Sequence, residues 1–300
     1  MMQKVIDSHF HIWRRDDQPW LVGPMVPRIF GAYEPIRRDY PIEEFLADQQ
    51  GSGVEKGVYV QTNWAREDFE REVAFVSEIA ARTGWPHAIV GYADMTADDV
   101  RPQLDRLITY PLLRGVRMQL HWHETPAFRF APSADQVIDP KVRANVGRLK
   151  DYGLSFDLQL FPGQMKDGLQ LVAENPQTNF ILTHCGMLVS ADPATVEAWK
   201  EGLQTLASAP NLYAKLSGLG TFVRRNDPEL ISLIYDTAIE VLGTKRLMFG
   251  SNFPIEKLWT SHANLIAAHL AAASKHGSEA EADIFWNTAE RVYRPADQVR

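Results

Sequence analysis

Along the whole 300-residue chain, short β-branched or aromatic runs alternate with segments of helical apolar period. That alternation is what parallel βα units require, and it excludes an all-helical or all-antiparallel fold. Eight strand-like runs occur, at 4–7, 56–61, 87–93, 113–119, 155–159, 179–183, 212–216 and 246–250. Between them apolar residues recur every 3.6 positions near 42–52, 66–83, 98–109, 140–152, 164–174, 193–208, 227–242 and 260–276. Eight such units predict a (β/α)8 TIM barrel, with an extra C-terminal helix near 279–293 that stops before Pro295. No Pro-, Gly- or Ser-rich stretch reads as a linker, so residues 1–300 are taken as one domain.

Charge and composition narrow the class of partner. With 31 Lys and Arg against 38 Asp and Glu the net charge is -7, the two signs are intermixed, and no basic stripe faces a phosphate backbone. Nucleic acid is excluded on that ground. No apolar run is long enough to span a bilayer, and the opening MMQKVIDSHFHIW meets charge and histidine too soon for a secretory leader. The single cysteine, Cys185, allows neither an intrachain disulfide nor a thiolate cluster, which suits a reducing compartment. A cytoplasmic protein acting on a small molecule is the expectation.

Chemistry concentrates where strands end. His9 and His11 follow the first strand-like run and are two residues apart, so in extended backbone both imidazoles face one side. Alone, such a pair is equally a packed or solvent-facing one. His184 ends a second strand-like run ahead of Cys185-Gly186, and Asn252 leaves the last strand inside Gly250-Ser251-Asn252-Phe253-Pro254. Repetition at one end of a barrel is where a site is expected. Polar residues also close other strands. Gln61, Arg117, Gln159 and Lys215, with His121 and His123 after the fourth strand, suggest an oxygen-rich ligand. Arg117 suits a carboxylate in two-point fashion, or equally a buried ion pair with Asp157. Lys215 is open to the same two readings. Glu256 is a further carboxylate near Asn252, or simply the first turn of the next helix. Two long connections, 13–41 and 120–140, are rich in aromatics, prolines and arginines, as lids, site walls or an interface between copies of the chain are.

Together with the segment 211–218, NLYAKLSG, these motifs resemble the amidohydrolase superfamily. The branch resembled holds the TIM-barrel metal-dependent hydrolases that include lactonases of fuconolactone, rhamnonolactone and 2-pyrone-4,6-dicarboxylate; aromatic-acid decarboxylases belong to the same broad family. The resemblance implies that His9 and His11 are the paired ligands of the first strand and that His184 binds the metal or touches the substrate carbonyl. One divalent cation, zinc or similar, would be held by the three. Asn252 stands where the family most often has an aspartate that ligates the metal and takes a proton from water. An amide cannot take that proton near neutral pH. The implied activity is opening of a lactone ring in a small polar substrate of the sugar-acid or dicarboxylate type. His9, His11, His184 and Asn252 would form the centre, and Gln61, Arg117, His121, His123, Gln159 and Lys215 would bind substrate. Non-oxidative decarboxylation of an aromatic acid, or a catalytically altered sugar-acid-binding barrel, are the alternatives.

Overall fold

A computed structural model describes residues 4–297. Eight parallel strands lie in chain order: β1 (Val5–Phe10), β2 (Val54–Val60), β3 (Ala88–Gly91), β4 (Leu113–Val116), β5 (Ser155–Leu158), β6 (Phe180–Leu182), β7 (Leu212–Leu216) and β8 (Leu247–Phe249). The seam between β8 and β1 is bridged by hydrogen bonds around the strand ends: Ser8 Oγ donates to the Phe249 carbonyl, Asn252 N–H to that of His9, and His11 N–H to that of Phe253. Sheet and helices make a (β/α)8 TIM barrel, as the alternation predicts.

The helices Ile42–Asp48, Phe69–Thr83, Arg101–Leu107, Pro140–Val146, Met165–Glu174, Pro193–Ala207, Pro228–Leu242 and His262–Ser274 follow the eight strands in turn. Three of them start at an Asp-Pro pair. Asp139, Asp192 and Asp227 accept backbone N–H groups of the first turn while the proline that follows needs none. Each such cap contributes about 1 kcal/mol.

The last helical run, Ser278–Ala282, a π-turn Asp283–Asn287 and Thr288–Tyr293, closes the barrel from the end where the strands begin. There Lys56 meets Glu290, and Ala296 N–H donates to the His87 carbonyl. Ala289, Val292 and Tyr293 pack with Ile6, Val58, Val60, Ala88, Val90, Ile181 and Met248 as the inner core. The extra helix is therefore a plug, which leaves only the opposite mouth open.

Boundaries depart from expectation in ways that bear on the site. β1 runs on to Phe10, which pairs with Tyr59, so His9 lies within the strand and not after it. β4 ends at Val116, and residues 117–123 leave the ladder. The long connection 13–41 holds a short helix, Pro19–Val22, that the apolar pattern did not predict.

Candidate active site

Two glycines make room for the rings at the mouth. A Cβ at Gly250 would lie 2.6 Å from His9 Cβ, and one at Gly218 would lie 2.6 Å from His184 Nδ1, so only glycine fits beside either histidine. Beyond β6 the backbone turns left-handed at four successive residues, His184, Cys185, Gly186 and Met187, three of them carrying side chains. A conformation that L-residues avoid, held by its surroundings, is the kind of strain that collects at functional sites. This turn aims His184 inward. The ring of His9 lies 5.0 Å from that of His11 and 4.9 Å from that of His184, centroid to centroid.

Hydrogen bonds assign the protons of two rings. His11 Nδ1 lies 2.7 Å from the Val60 carbonyl, and His184 Nδ1 lies 3.1 Å from the Ser217 carbonyl and 2.9 Å from its hydroxyl. A carbonyl only accepts, so both Nδ1 atoms carry hydrogen and both Nε2 atoms keep a lone pair. Burial keeps the cluster neutral. It pushes His11 down to about 3 and His9 and His184 well below the usual histidine value, with the charges of Arg117 and Lys215 adding to the effect.

The mouth holds a cavity of about 120 Å³ that opens to solvent. His11, Gln61, Arg117, Gln119, His121, Gln159, His184, Thr221 and Asn252 line its floor and lower walls, and Trp13, Trp20, Arg28, Phe30, Arg129 and Phe130 from the two long connections build its rim. Arg117 donates from Nη2 to the Gln61 carbonyl at 2.6 Å, and its Nε has no partner. Burial lowers it to about 10, so it remains a cation at neutral pH. It forms no salt bridge among the described residues. Asn252, at φ 55°, lies beside both His11 and the carboxyl of Glu256. Glu256 is no solvated helix start: it is fully buried, receives the Trp259 indole N–H at 2.8 Å, and is raised by burial to about 8.

Three sequence expectations are corrected. Lys215 is not at the cavity but beneath it, fully buried and 2.6 Å from Asp157, so it neutralises an acid and does not reach substrate. Asp157 accordingly pairs with Lys215, and not with Arg117. His123 points elsewhere. Because residues 117–123 have left the sheet, the period-2 alternation lapses; His121 faces the cavity while His123 packs on Phe128 and Phe161 by another groove. His9, finally, converges with its two partners yet sits under them, with no exposed surface.

Sequence reasoning missed Glu72 and Tyr293. Glu72 accepts from Tyr59 O–H and from the Thr62 N–H and hydroxyl, tying down the turn that carries Gln61 and Asn63. Its signal was a carboxylate on the apolar stripe of a helix, beside Phe69, Val73 and Val76. Tyr293 looked like the last apolar residue of a helix and carried no signal of its own.

As arranged, these donors do not fit a divalent cation. His11 and His184 offer lone pairs, but the third ring has an ammonium 3.5 Å from Nδ1, Arg117 adds a second positive charge, and Asn252 supplies an amide in place of a carboxylate. Among the described residues no group of three or more His, Cys, Asp or Glu is placed to hold a metal ion.

Comparison with known proteins gives a consistent picture. The profile of the family described as Amidohydrolase matches residues 6–294. An uncharacterised protein of Sinorhizobium fredii is 34% identical over 292 residues, 97% of this chain and 98% of its own. An L-fucono-1,5-lactonase of Burkholderia multivorans is 30% identical over 311 residues, covering 97% of each. Among solved structures, an amidohydrolase from Burkholderia multivorans with bound zinc superposes with a TM-score of 0.80 at 27% identity, covering 97% of this chain and 99% of that one.

Proposed function

Because the chain belongs to the amidohydrolase family, we propose that this hydrolase opens the lactone ring of a small polar substrate of the sugar-acid or dicarboxylate type. The observation that carries the reading is a pair of neutral imidazoles, His11 and His184, and an unneutralised guanidinium, Arg117, all lining one cavity. Ring opening needs a base for water and a cation for the oxyanion, and little else. The likeness to L-fucono-1,5-lactonases supports the substrate class.

In this reading the lactone carbonyl oxygen sits against Arg117. Water attacks the carbonyl carbon, and His184 Nε2 takes the proton, its Nδ1–H steadied by Ser217. Negative charge that develops on oxygen in the tetrahedral intermediate is met by Arg117, which is worth more in a buried site than in water. Collapse breaks the ring C–O bond, and the imidazolium of His184 returns its proton to the leaving alkoxide. Atoms and protons balance as lactone plus water giving the hydroxy acid. Asn252 cannot be the base; between His11 and the Glu256 carboxyl, its part is to hold His11. Gln61, His121 and Gln159 are left to bind hydroxyl groups, and no step requires a metal that the donor set does not fit.

The test is a panel of sugar lactones and hydroxybenzoates, with acid release followed by indicator and carbon dioxide followed in parallel. Ring opening without carbon dioxide is expected, and His184→Ala slows it by about 10²- to 10⁴-fold. Carbon dioxide from a hydroxybenzoate would transfer the site to decarboxylation. Tight sugar-acid binding with no turnover would make it a binding barrel.

A further inference from the structure

We infer that a buried chain, Tyr293–Asp157–Lys215, sets the tautomer of His9, so that the ring beneath the floor carries its N–H on Nε2 where its two neighbours present lone pairs. The four residues come from the plug helix, β5, β7 and β1. Tyr293 O–H donates to Asp157 Oδ1 at 2.6 Å, and Lys215 Nζ donates to Asp157 Oδ2 at 2.6 Å. The ammonium lies 4.8 Å over the Tyr293 ring and 3.5 Å from His9 Nδ1. All four side chains have no exposed surface.

The inference is a matter of proton bookkeeping. An ammonium only donates, so the Nδ1 that faces it must keep its lone pair. A neutral imidazole has one N–H, which then sits on Nε2. Burial pulls the Lys215 ammonium below the usual lysine value, and the Asp157 oxygen 2.6 Å from it, with the Tyr293 ring, opposes that pull. Behind His11 and His184 stand carbonyls, which demand the opposite choice. His9 Nε2 has no partner. A buried N–H left unmatched is unfavourable, so the chain that fixes this tautomer has to outweigh that cost. A metal ligand needs a bare Nε2, so the same chain turns this ring against a cation. Lys215, Asp157 and Tyr293 are thus positioning residues, and the plug helix reaches the site through the barrel axis. The effect on kcat rests on the lactone reading; the tautomer does not.

The experiment is a two-bond proton–nitrogen correlation on the full-length chain labelled with nitrogen-15 histidine at neutral pH. His9 is identified by its through-space contacts to the rings of His11 and His184. Nε2 protonated and Nδ1 bare is expected. Tyr293→Phe removes only a hydroxyl and should move His9 toward a mixture of tautomers, with kcat for the lactone lowered about 10-fold and KM nearly unchanged. The double variant Lys215→Met, Asp157→Asn removes both charges of the pair together; it should populate the Nδ1–H form and lower kcat by about 10- to 100-fold. A wild-type His9 protonated on Nδ1 overturns the inference, as does a His9 signal unchanged in both variants, which a purely structural chain would give. An Nε2–H tautomer in a protein that opens no lactone would sink the proposed activity and leave this assignment standing.

Discussion

The floor and the rim of the cavity are built from different material. Floor groups sit at strand ends, are mostly buried, and have their protons assigned by fixed partners: Val60 for His11, Ser217 for His184, Gln61 for Arg117. Rim groups such as Trp20, Arg28 and Phe30 ride on a connection of nearly thirty residues and hold one another by ring and cation contacts, with the Arg28 guanidinium 5.1 Å from the Trp20 ring. The lesson is a division of labour. Groups that move protons need placement to a fraction of an ångström, which a sheet provides; groups that recognise a substrate need shape, which loops provide and can change.

That division is broken most forcefully at the floor. His184→Ala should lower kcat/KM for a responsive lactone by about 10²- to 10⁴-fold, the range of a lost general base, with the melting temperature little altered. A rate unchanged by this substitution would move the chemistry away from the floor. Next comes Arg117→Met, which keeps the buried stem and removes the charge: a kcat loss of about 10²- to 10³-fold is expected, with a smaller change in KM. If KM alone rises, Arg117 is a recognition group and the contrast with the rim fails.

The floor should also show itself in acid stability. Burial lowers His11 and His121 to about 3, and away from the cavity it lowers His269 to about 3 and His87 and His262 to about 4. The unfolded chain takes up those protons below pH 6.5 and the native chain does not, so stability falls as pH drops from about 6.5 toward 3, by on the order of 1 kcal/mol per pH unit for each proton. Asp7, raised by burial to about 6, and Glu256, raised to about 8, slope the other way: the native state holds their protons after the unfolded state has lost them. Their contribution is present at low pH and declines as pH rises through those values. His9, His123 and His184 are lowered as well and Glu72 is raised, so eight histidines against three carboxyls leave a net loss on acidification, with greatest stability near neutrality. Chemical denaturation between pH 4 and 8 reads the slope directly, and a flat profile would mean that these histidines are hydrated in the native state. The smallest effect belongs to the rim. Trp20→Ala should raise KM several-fold and leave kcat near its starting value; an equal fall in kcat would show that the rim also excludes water from the reaction.

How much of this was legible beforehand differs residue by residue. His9 and His11 were readable as a pair because their two-residue spacing is a property of extended backbone, and β1 is extended through Phe10. His121 and His123 have the same spacing, yet only His121 reaches the cavity, because the sheet had ended at Val116 and no local pattern marks that end. Glu256 carried the appearance of an ordinary helix start. Only the indole of Trp259 and the hydroxyl of Thr221 closing over it reveal a buried acid.

What the amino-acid order determined alone is therefore what depends on near neighbours: the eight alternations, the periods of strand and helix, the caps, the glycines at tight turns, and with them the barrel and the family. What only the tertiary structure decided is which charge meets which. Lys215 finds Asp157 across 58 positions and Tyr293 finds Asp157 across 136. Pairing and burial are set by groups that become neighbours only when the sheet closes. The same lysine could have been a substrate contact, and packing made it the partner that governs a histidine.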